Sequence, residues 1–256
     1  MALALAAALT AGCGGPVQRG APASLHVSAA VSLTDALQKV AARWEQAGHG
    51  AVALNLAASN VLARQVLEGA PADVFLSADE AQMDRLVQSG DVDTGDRVDL
   101  LSNQLVVITP TGHTLPGTLP AALVSRDVKR VSIGDPQGVP AGVYARQWLT
   151  SSGLWRDVEP KIVPAVSVRA ALAAVEAANA DAGIVYRTDV VRHDAVTVAY
   201  AVPLADGPRI VYPAAIVKRT SNRAAAQAFL AYLQGSQARA IFADEGFVPI
   251  GTAAAR

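Results

Sequence analysis

The feature that most restricts what this chain can fold into is a regular alternation of two kinds of segment. Short aliphatic runs at 25–30, 51–57, 73–77, 104–109, 130–134, 161–164, 182–186 and 196–202 have the apolar continuity of strands buried on both faces. Between most of them, at 33–46, 61–68, 80–89, 143–151, 169–178 and 223–233, aliphatic residues recur every three or four positions. That is the period of a helix with one buried stripe. The alternation predicts an α/β chain built on parallel sheet, because a parallel neighbour is reached only through a crossover long enough to hold a helix.

Two turns in this pattern carry chemistry. They are Ala29-Ala30-Val31-Ser32-Leu33-Thr34-Asp35, and Ala58-Ser59-Asn60 running into Leu62-Ala63-Arg64-Gln65. Each ends a strand-like run with a serine, and a helical pattern begins at once. The serine therefore stands at or near a helix N-cap, where unpaired backbone N–H groups and the positive end of the helix dipole coincide. Two such turns in close succession predict a site for an oxyanion held without a counter-charge. The plainer alternative is that each serine caps only its own helix, with Asp35 completing a capping box around Ser32.

Composition narrows the remaining choices. The chain has 256 residues, 52% of them hydrophobic, and a net charge of −1. That balance supplies a sizeable core and excludes a basic nucleic-acid groove or a polybasic membrane patch. There is no G-x-S-x-G elbow, no H-E-x-x-H, no cysteine-based metal spacing and no Walker loop. His26, His49, His113 and His193 lie far apart in dissimilar contexts, so no catalytic residue is assigned and a binding protein is expected rather than an enzyme. Residues 1–11 are almost wholly Ala and Leu, too few to span a bilayer. With Gly12 and Cys13 they resemble a lipoprotein signal peptide over 1–12, although no Lys or Arg precedes the apolar run and Thr10 stands where Leu is usual. That resemblance implies a lipid attached to Cys13, a flexible tether over 13–24 and a location outside the cytoplasm, in the periplasm or at the cell surface. Cys13 is the only cysteine, which excludes an internal disulfide framework.

Further short segments fall in a recognisable order: Gly69-Ala70-Pro71-Ala72-Asp73-Val74-Phe75-Leu76-Ser77-Ala78-Asp79, Gly134-Asp135-Pro136, Val139-Pro140-Ala141-Gly142, Val168-Arg169-Ala170-Ala171-Leu172, Gly183-Ile184-Val185-Tyr186 and Tyr212-Pro213-Ala214-Ala215-Ile216-Val217. Together with the first serine turn they make the chain resemble the molybdate class of periplasmic-type binding proteins, the soluble receptors of ABC importers. The resemblance implies a type II fold of two α/β lobes, each a mainly parallel sheet flanked by helices. One lobe comprises 25–103 plus 213–256 and the other 104–212, joined by two crossover strands near 101–109 and 209–217. It implies molybdate or tungstate as the ligand, no cofactor, an ABC permease in the membrane as partner, and a monomer.

The same resemblance implies five binding positions. Ser32 and Ser59 each offer a hydroxyl and a backbone N–H, Ala141 and Val168 offer backbone N–H alone, and Tyr186 closes the shell with its phenol. The metal is then held only through its oxygens, with no direct metal ligand. Asn60 and Val61 stand where small hydroxyl residues are often found in the family. A shell of donors suits a tetrahedral dianion, which presents only acceptors, and offers nothing to an anion that brings a proton. Molybdate and tungstate are not separable at this level, and sulfate or thiosulfate remains the alternative.

Overall fold

The computed structural model describes residues 24–250, so Cys13 and the expected signal peptide and tether, Ser24 apart, lie outside the described residues. The chain opens with β1 (Leu25–Ala30), a 3-10 turn at Val31–Leu33 and α1 (Thr34–Gln46). β2 (Val52–Ala57) with α2 (Ser59–Leu67), and β3 (Val74–Leu76) with α3 (Glu80–Gln88), continue the rhythm. β4 (Arg97–Ser102) and β5 (Leu105–Pro110) are separated only by Asn103 and Gln104. Next come β6 (Val131–Gly134), α4 (Pro140–Ser151), the short α5 (Trp155–Val158), β7 (Ile162–Ala165), α6 (Val168–Glu176), β8 (Ala182–Tyr186) and β9 (Val196–Ala201). After the connection 202–211 the chain forms β10 (Tyr212–Ile216), α7 (Arg223–Gln234), α8 (Ser236–Asp244) and β11 (Val248–Pro249).

Two sheets result, a six-stranded one in the order β11-β4-β10-β3-β1-β2 and a five-stranded one in the order β7-β6-β8-β5-β9. The chain passes from the first sheet to the second at Asn103-Gln104 and returns through 202–211. Both passages are short connections between strands of different sheets rather than strands shared by both. Tyr212 pairs with Leu101 and so already lies in the first sheet.

The sheets are mixed. Pairing is parallel within β2-β1-β3 and within β7-β6-β8, where crossovers carry helices. It is antiparallel for β4, β10 and β11 and for β5 and β9; all of these but β11 are strands by which the chain arrives from or leaves for the other sheet. Three expected buried strands, β2, β7 and β9, are partly exposed, because each is the edge of its sheet. β4 and α8 were not among the expected segments. Arg97 and Asp99 interrupt the apolar run of β4 and join Glu80, Asp84 and Arg209 in a partly exposed ion-pair group.

Packing follows the helical stripes. α1 buries Ala36, Leu37, Val40, Ala41 and Trp44, and the Trp44 ring meets Phe229 of α7 edge-on at 5.2 Å. A second apolar cluster under α2 and α3 gathers Leu62, Val66, Phe75, Met83 and Leu86. Among the described residues no helix is long and apolar enough to cross a membrane.

One glycine fixes the start of α4 against the end of β6. A Cβ at Gly142 would lie 1.9 Å from the Gly134 carbonyl oxygen, far inside contact distance, and 2.8 Å from the Asp135 carbonyl carbon. Helix propensity alone favours Gly142→Ala by about 0.5–1 kcal/mol. The backbone clash opposes this and cannot be relieved by a rotamer change, so the substitution is expected to destabilise by about 1–3 kcal/mol. A urea unfolding midpoint equal to or above the parent's would refute the close approach.

Candidate functional site

Every one of the five sequence-expected positions lines a single cavity. Its walls are Ala30, Val31, Ser32, Ala58, Ser59 and Ala78 from the first sheet's side, and Val139, Pro140, Ala141, Val168 and Tyr186 from the second's, around about 210 Å³ of empty space that includes the mouth. The cavity lies outside the carboxyl ends of β1, β2, β3, β6, β7 and β8, where α/β sheets present the N-termini of the helices that follow. Ser32, Ser59, Ala141, Val168 and Tyr186 are all buried.

Each wall contributes unpaired donors for a local reason. In α2 the N–H groups of Val61 and Leu62 both donate to the Ala58 carbonyl, which leaves the Ser59 and Asn60 amides ahead of the first helical bond. In α4, Pro140 has no N–H, and Gly142 and Val143 both donate to the Val139 carbonyl. The Ala141 amide is thereby left over. In α6 the Ala171 N–H donates to the Ser167 carbonyl and the Ala170 N–H to Ser167 Oγ, leaving the Val168 and Arg169 amides. Ser32 sits inside the 3-10 turn that precedes α1. Three helix starts and this turn thus aim the positive ends of their dipoles at one space.

Neither serine acts as an N-cap. The residues preceding the two helical segments, Ala30 and Ala58, make no side-chain cap, and the serine hydroxyls are engaged elsewhere. Ser59 Oγ accepts from the Ala78 N–H at 2.9 Å, and Ser32 Oγ lies 3.1 Å from the Tyr212 hydroxyl. The capping box drawn around Ser32 is also absent. Asp35 instead pairs with Arg169 at 2.5 Å, from α1 across to α6. Three other aspartates hold local backbone: Asp79 caps α3 through the Gln82 N–H, Asp135 accepts from the Gln137 N–H, and Asp73 accepts from the His26 N–H.

Tyr186 departs from what a core tyrosine does. Its side chain is buried, yet among the described residues its hydroxyl has no hydrogen-bond partner. Such a group is rare, since an unmade buried hydrogen bond costs about 1–3 kcal/mol. Burial also pushes the phenol well above its ordinary range, so it keeps its proton and is a donor. No charged side chain lines the cavity, and among the described residues no group of three His, Cys, Asp or Glu side chains could hold a metal ion.

Arg169 and Asp189 face one another behind the wall. The Tyr186 N–H donates to Asp189 Oδ2 at 3.2 Å, and Asp189 Oδ1 lies 3.0 Å from Arg169 Nε. Burial pushes the Asp189 carboxyl up to about 7, against the pull of Arg169 in the other direction. The arrangement can do one thing chemically, which is to surround a small anion with neutral donors from both sheets.

Residues 25–248 match the family model described as bacterial extracellular solute-binding protein. The chain belongs to that family. A curated relative, the molybdate-binding protein ModA of Escherichia coli (strain K12), is 40% identical over 229 residues, covering 87% of this chain and 88% of its own. A putative ABC transporter substrate-binding lipoprotein, YvgL of Bacillus subtilis (strain 168), is 36% identical, with 88% of this chain and 86% of its own covered. Among solved structures, the periplasmic molybdate-binding protein of Azotobacter vinelandii superposes with a TM-score of 0.80 at 27% identity, over 89% of this chain and all of that one. This solute-binding protein therefore has the type II periplasmic-binding-protein fold and is a transport receptor rather than an enzyme.

Sequence reasoning missed the groups that hold the serines. Tyr212 lies in the segment Tyr212-Pro213-Ala214-Ala215-Ile216-Val217, and Asn103, which donates to the Tyr212 hydroxyl at 3.1 Å, lies at the edge of the expected strand 104–109. Nothing local marks either residue, since Tyr212 meets Ser32 across 180 positions of sequence and Asn103 meets Tyr212 across 109.

The orphan hydroxyl makes a two-sided prediction. In Tyr186→Phe, ligand-free stability is expected to stay level or rise, since an unpaired buried polar group is removed. Affinity for a bound oxyanion is expected to fall about tenfold or more, the effect of one charge-assisted hydrogen bond. Chemical denaturation and titration calorimetry on the same variant read the two signs, and a loss of stability with unchanged affinity would return Tyr186 to the core.

Proposed function

We propose that this protein is the extracytoplasmic receptor that captures molybdate or tungstate and delivers it to an ABC permease. The observation that carries the reading is the cavity itself: neutral donors from both sheets converge there and, among the described residues, one buried phenol lacks any partner and no charged side chain intrudes. The names of the Escherichia coli and Azotobacter vinelandii relatives support the same ligand. Ser32 and Ser59 bind through hydroxyl and amide, Ala141 and Val168 through amide, and Tyr186 through its phenol. These amount to seven donors; at about 1.5–3 kcal/mol net for each charge-assisted bond, the shell supplies roughly 10 kcal/mol or more before ordering costs.

The two lobes are built on the two sheets, hinged at Asn103-Gln104 and 202–211, and the return to the first lobe is complete at Tyr212, one residue before the expected boundary at 213. Because Ser32 and Ser59 belong to one and Ala141, Val168 and Tyr186 to the other, the anion favours the closed arrangement by its greater affinity for it, and the permease receives that form. The receptor acts as a monomer. Cys13 carries the lipid anchor, a reading supported by the lipoprotein name of the Bacillus relative.

Thermal unfolding with molybdate, tungstate, sulfate and phosphate in separate samples tests the ligand. A hundredfold excess over the dissociation constant adds about 2.7 kcal/mol, a rise in Tm of about 5 to 10 °C for a chain of this size. The expected result is a rise with molybdate and tungstate alone; a rise with sulfate alone overturns the ligand, and none at all overturns the receptor. Small-angle scattering is expected to show compaction on adding molybdate, and an unchanged radius of gyration would refute lobe closure.

A further inference from the structure

We propose that Tyr212 and Asn103 are positioning residues that fix which way the Ser32 hydroxyl points, and thereby part of the selectivity for fully deprotonated oxyanions. The inference rests on the oxyanion reading of the cavity and adds to it two residues that do not line the cavity.

The direction of each hydrogen bond follows from a chain of fixed donors. The Gln104 N–H donates to Asn103 Oδ1 at 2.8 Å, which settles which end of the Asn103 amide is which. Both hydrogens of Asn103 Nδ2 are then committed, one to Thr188 Oγ1 at 2.9 Å and the other to the Tyr212 hydroxyl oxygen at 3.1 Å. Tyr212 is buried, and its own proton has one acceptor among the described residues, Ser32 Oγ at 3.1 Å. The reverse direction, Ser32 donating to Tyr212, would leave a phenolic proton buried and unpaired. Burial keeps that proton on Tyr212, as it does on Tyr186. Ser32 Oγ therefore receives from Tyr212, and its own proton has only the cavity to enter.

Ser59 reaches the same polarity by a simpler route. Its Oγ accepts from the Ala78 backbone N–H, a donor that only a proline at that position removes. The polarity of Ser32 depends instead on two side chains. They also stand at the two passages between the sheets: Asn103 is the first residue of one, and Tyr212 follows directly on the other. The other hydrogen of the same amide goes to Thr188 in the turn after β8, a residue that does not line the cavity. With Tyr212 donating, Ser32 meets the anion as a donor. Without it, the hydroxyl is free to turn a lone pair toward a protonated anion such as hydrogen phosphate.

The test is calorimetric titration of the full chain and of Tyr212→Phe, Asn103→Leu and the double variant with molybdate and with phosphate near neutral pH. The parent's binding of molybdate is read first, and its absence overturns the oxyanion reading itself. Given that binding, Tyr212→Phe is expected to lose about tenfold in molybdate affinity and to lose less for phosphate, so that the ratio of the two narrows. Asn103→Leu is expected to fall between parent and Tyr212→Phe, and the double variant to match Tyr212→Phe, because Asn103 acts on the anion only through Tyr212. An unchanged ratio in a folded Tyr212→Phe, or additive losses in the double variant, overturns the proposal while leaving the receptor reading intact. Should Tyr212→Phe not fold, the ratio in Asn103→Leu decides in the same way.

Discussion

The surplus of backbone N–H groups at the starts of helices is the constraint on which the rest of this structure depends. A helix leaves its first amides without internal acceptors, and water or a ligand must supply them. Here the Ser59, Ala141 and Val168 amides face one buried space, with the Ser32 turn beside them. The parallel halves of both sheets exist in this arrangement to bring those starts to a common point. Pro140, which has no N–H of its own, and Gly142, which lets α4 lie against the end of β6, serve the same geometry. A cluster of donors cannot satisfy itself, so the fold has a standing requirement for an acceptor.

Charge is managed at a distance from that space. Arg169 follows Val168 in the first turn of α6, yet its guanidinium turns away to Asp35 on α1 and to the buried Asp189. The cation therefore does not neutralise the anion's site; it holds two helices and the turn after β8 together behind it. A buried pair of this kind adds little net stability against its desolvation, but removing one partner is expensive. Its contribution here is positional, since Asp189 also accepts the Tyr186 N–H and so sets where that phenol stands.

Much of this could be read from the sequence. The aliphatic runs and helical stripes located most strands and helices to within a few residues, because each is a local pattern that burial imposes. Strands where the chain changes sheet were harder: β4 carries Arg97 and Asp99 for surface ion pairs, and its pairing with β10 depends on a return of more than a hundred residues. The five cavity-lining positions were expected through their resemblance to a family, and two of them, Ala141 and Val168, show why type alone would not suffice. An alanine or valine that binds through its amide leaves no chemical trace in its side chain. The serine turns were recognised as helix starts, but the hydroxyls' partners, Tyr212 and the Ala78 amide, come from elsewhere in the sheet and no local rule points to them. Orphaned groups such as the Tyr186 hydroxyl are visible only once the surroundings are known.

The order of the strands also bears on how the molecule is made. The five-stranded sheet uses one unbroken stretch of chain, whereas the six-stranded sheet takes β1, β2, β3 and β4 from the beginning and β10 and β11 from the end. A chain emerging from its N-terminus can therefore finish the second sheet while β3 still lacks the neighbour that will cover it. Until β10 arrives, the edge of β3 and the apolar faces of Phe75 and Leu76 are open to strand pairing with other chains. The last part of the chain to be made is thus what turns a half-built cleft into a closed one, and truncation there endangers solubility before it touches a single group that meets the anion.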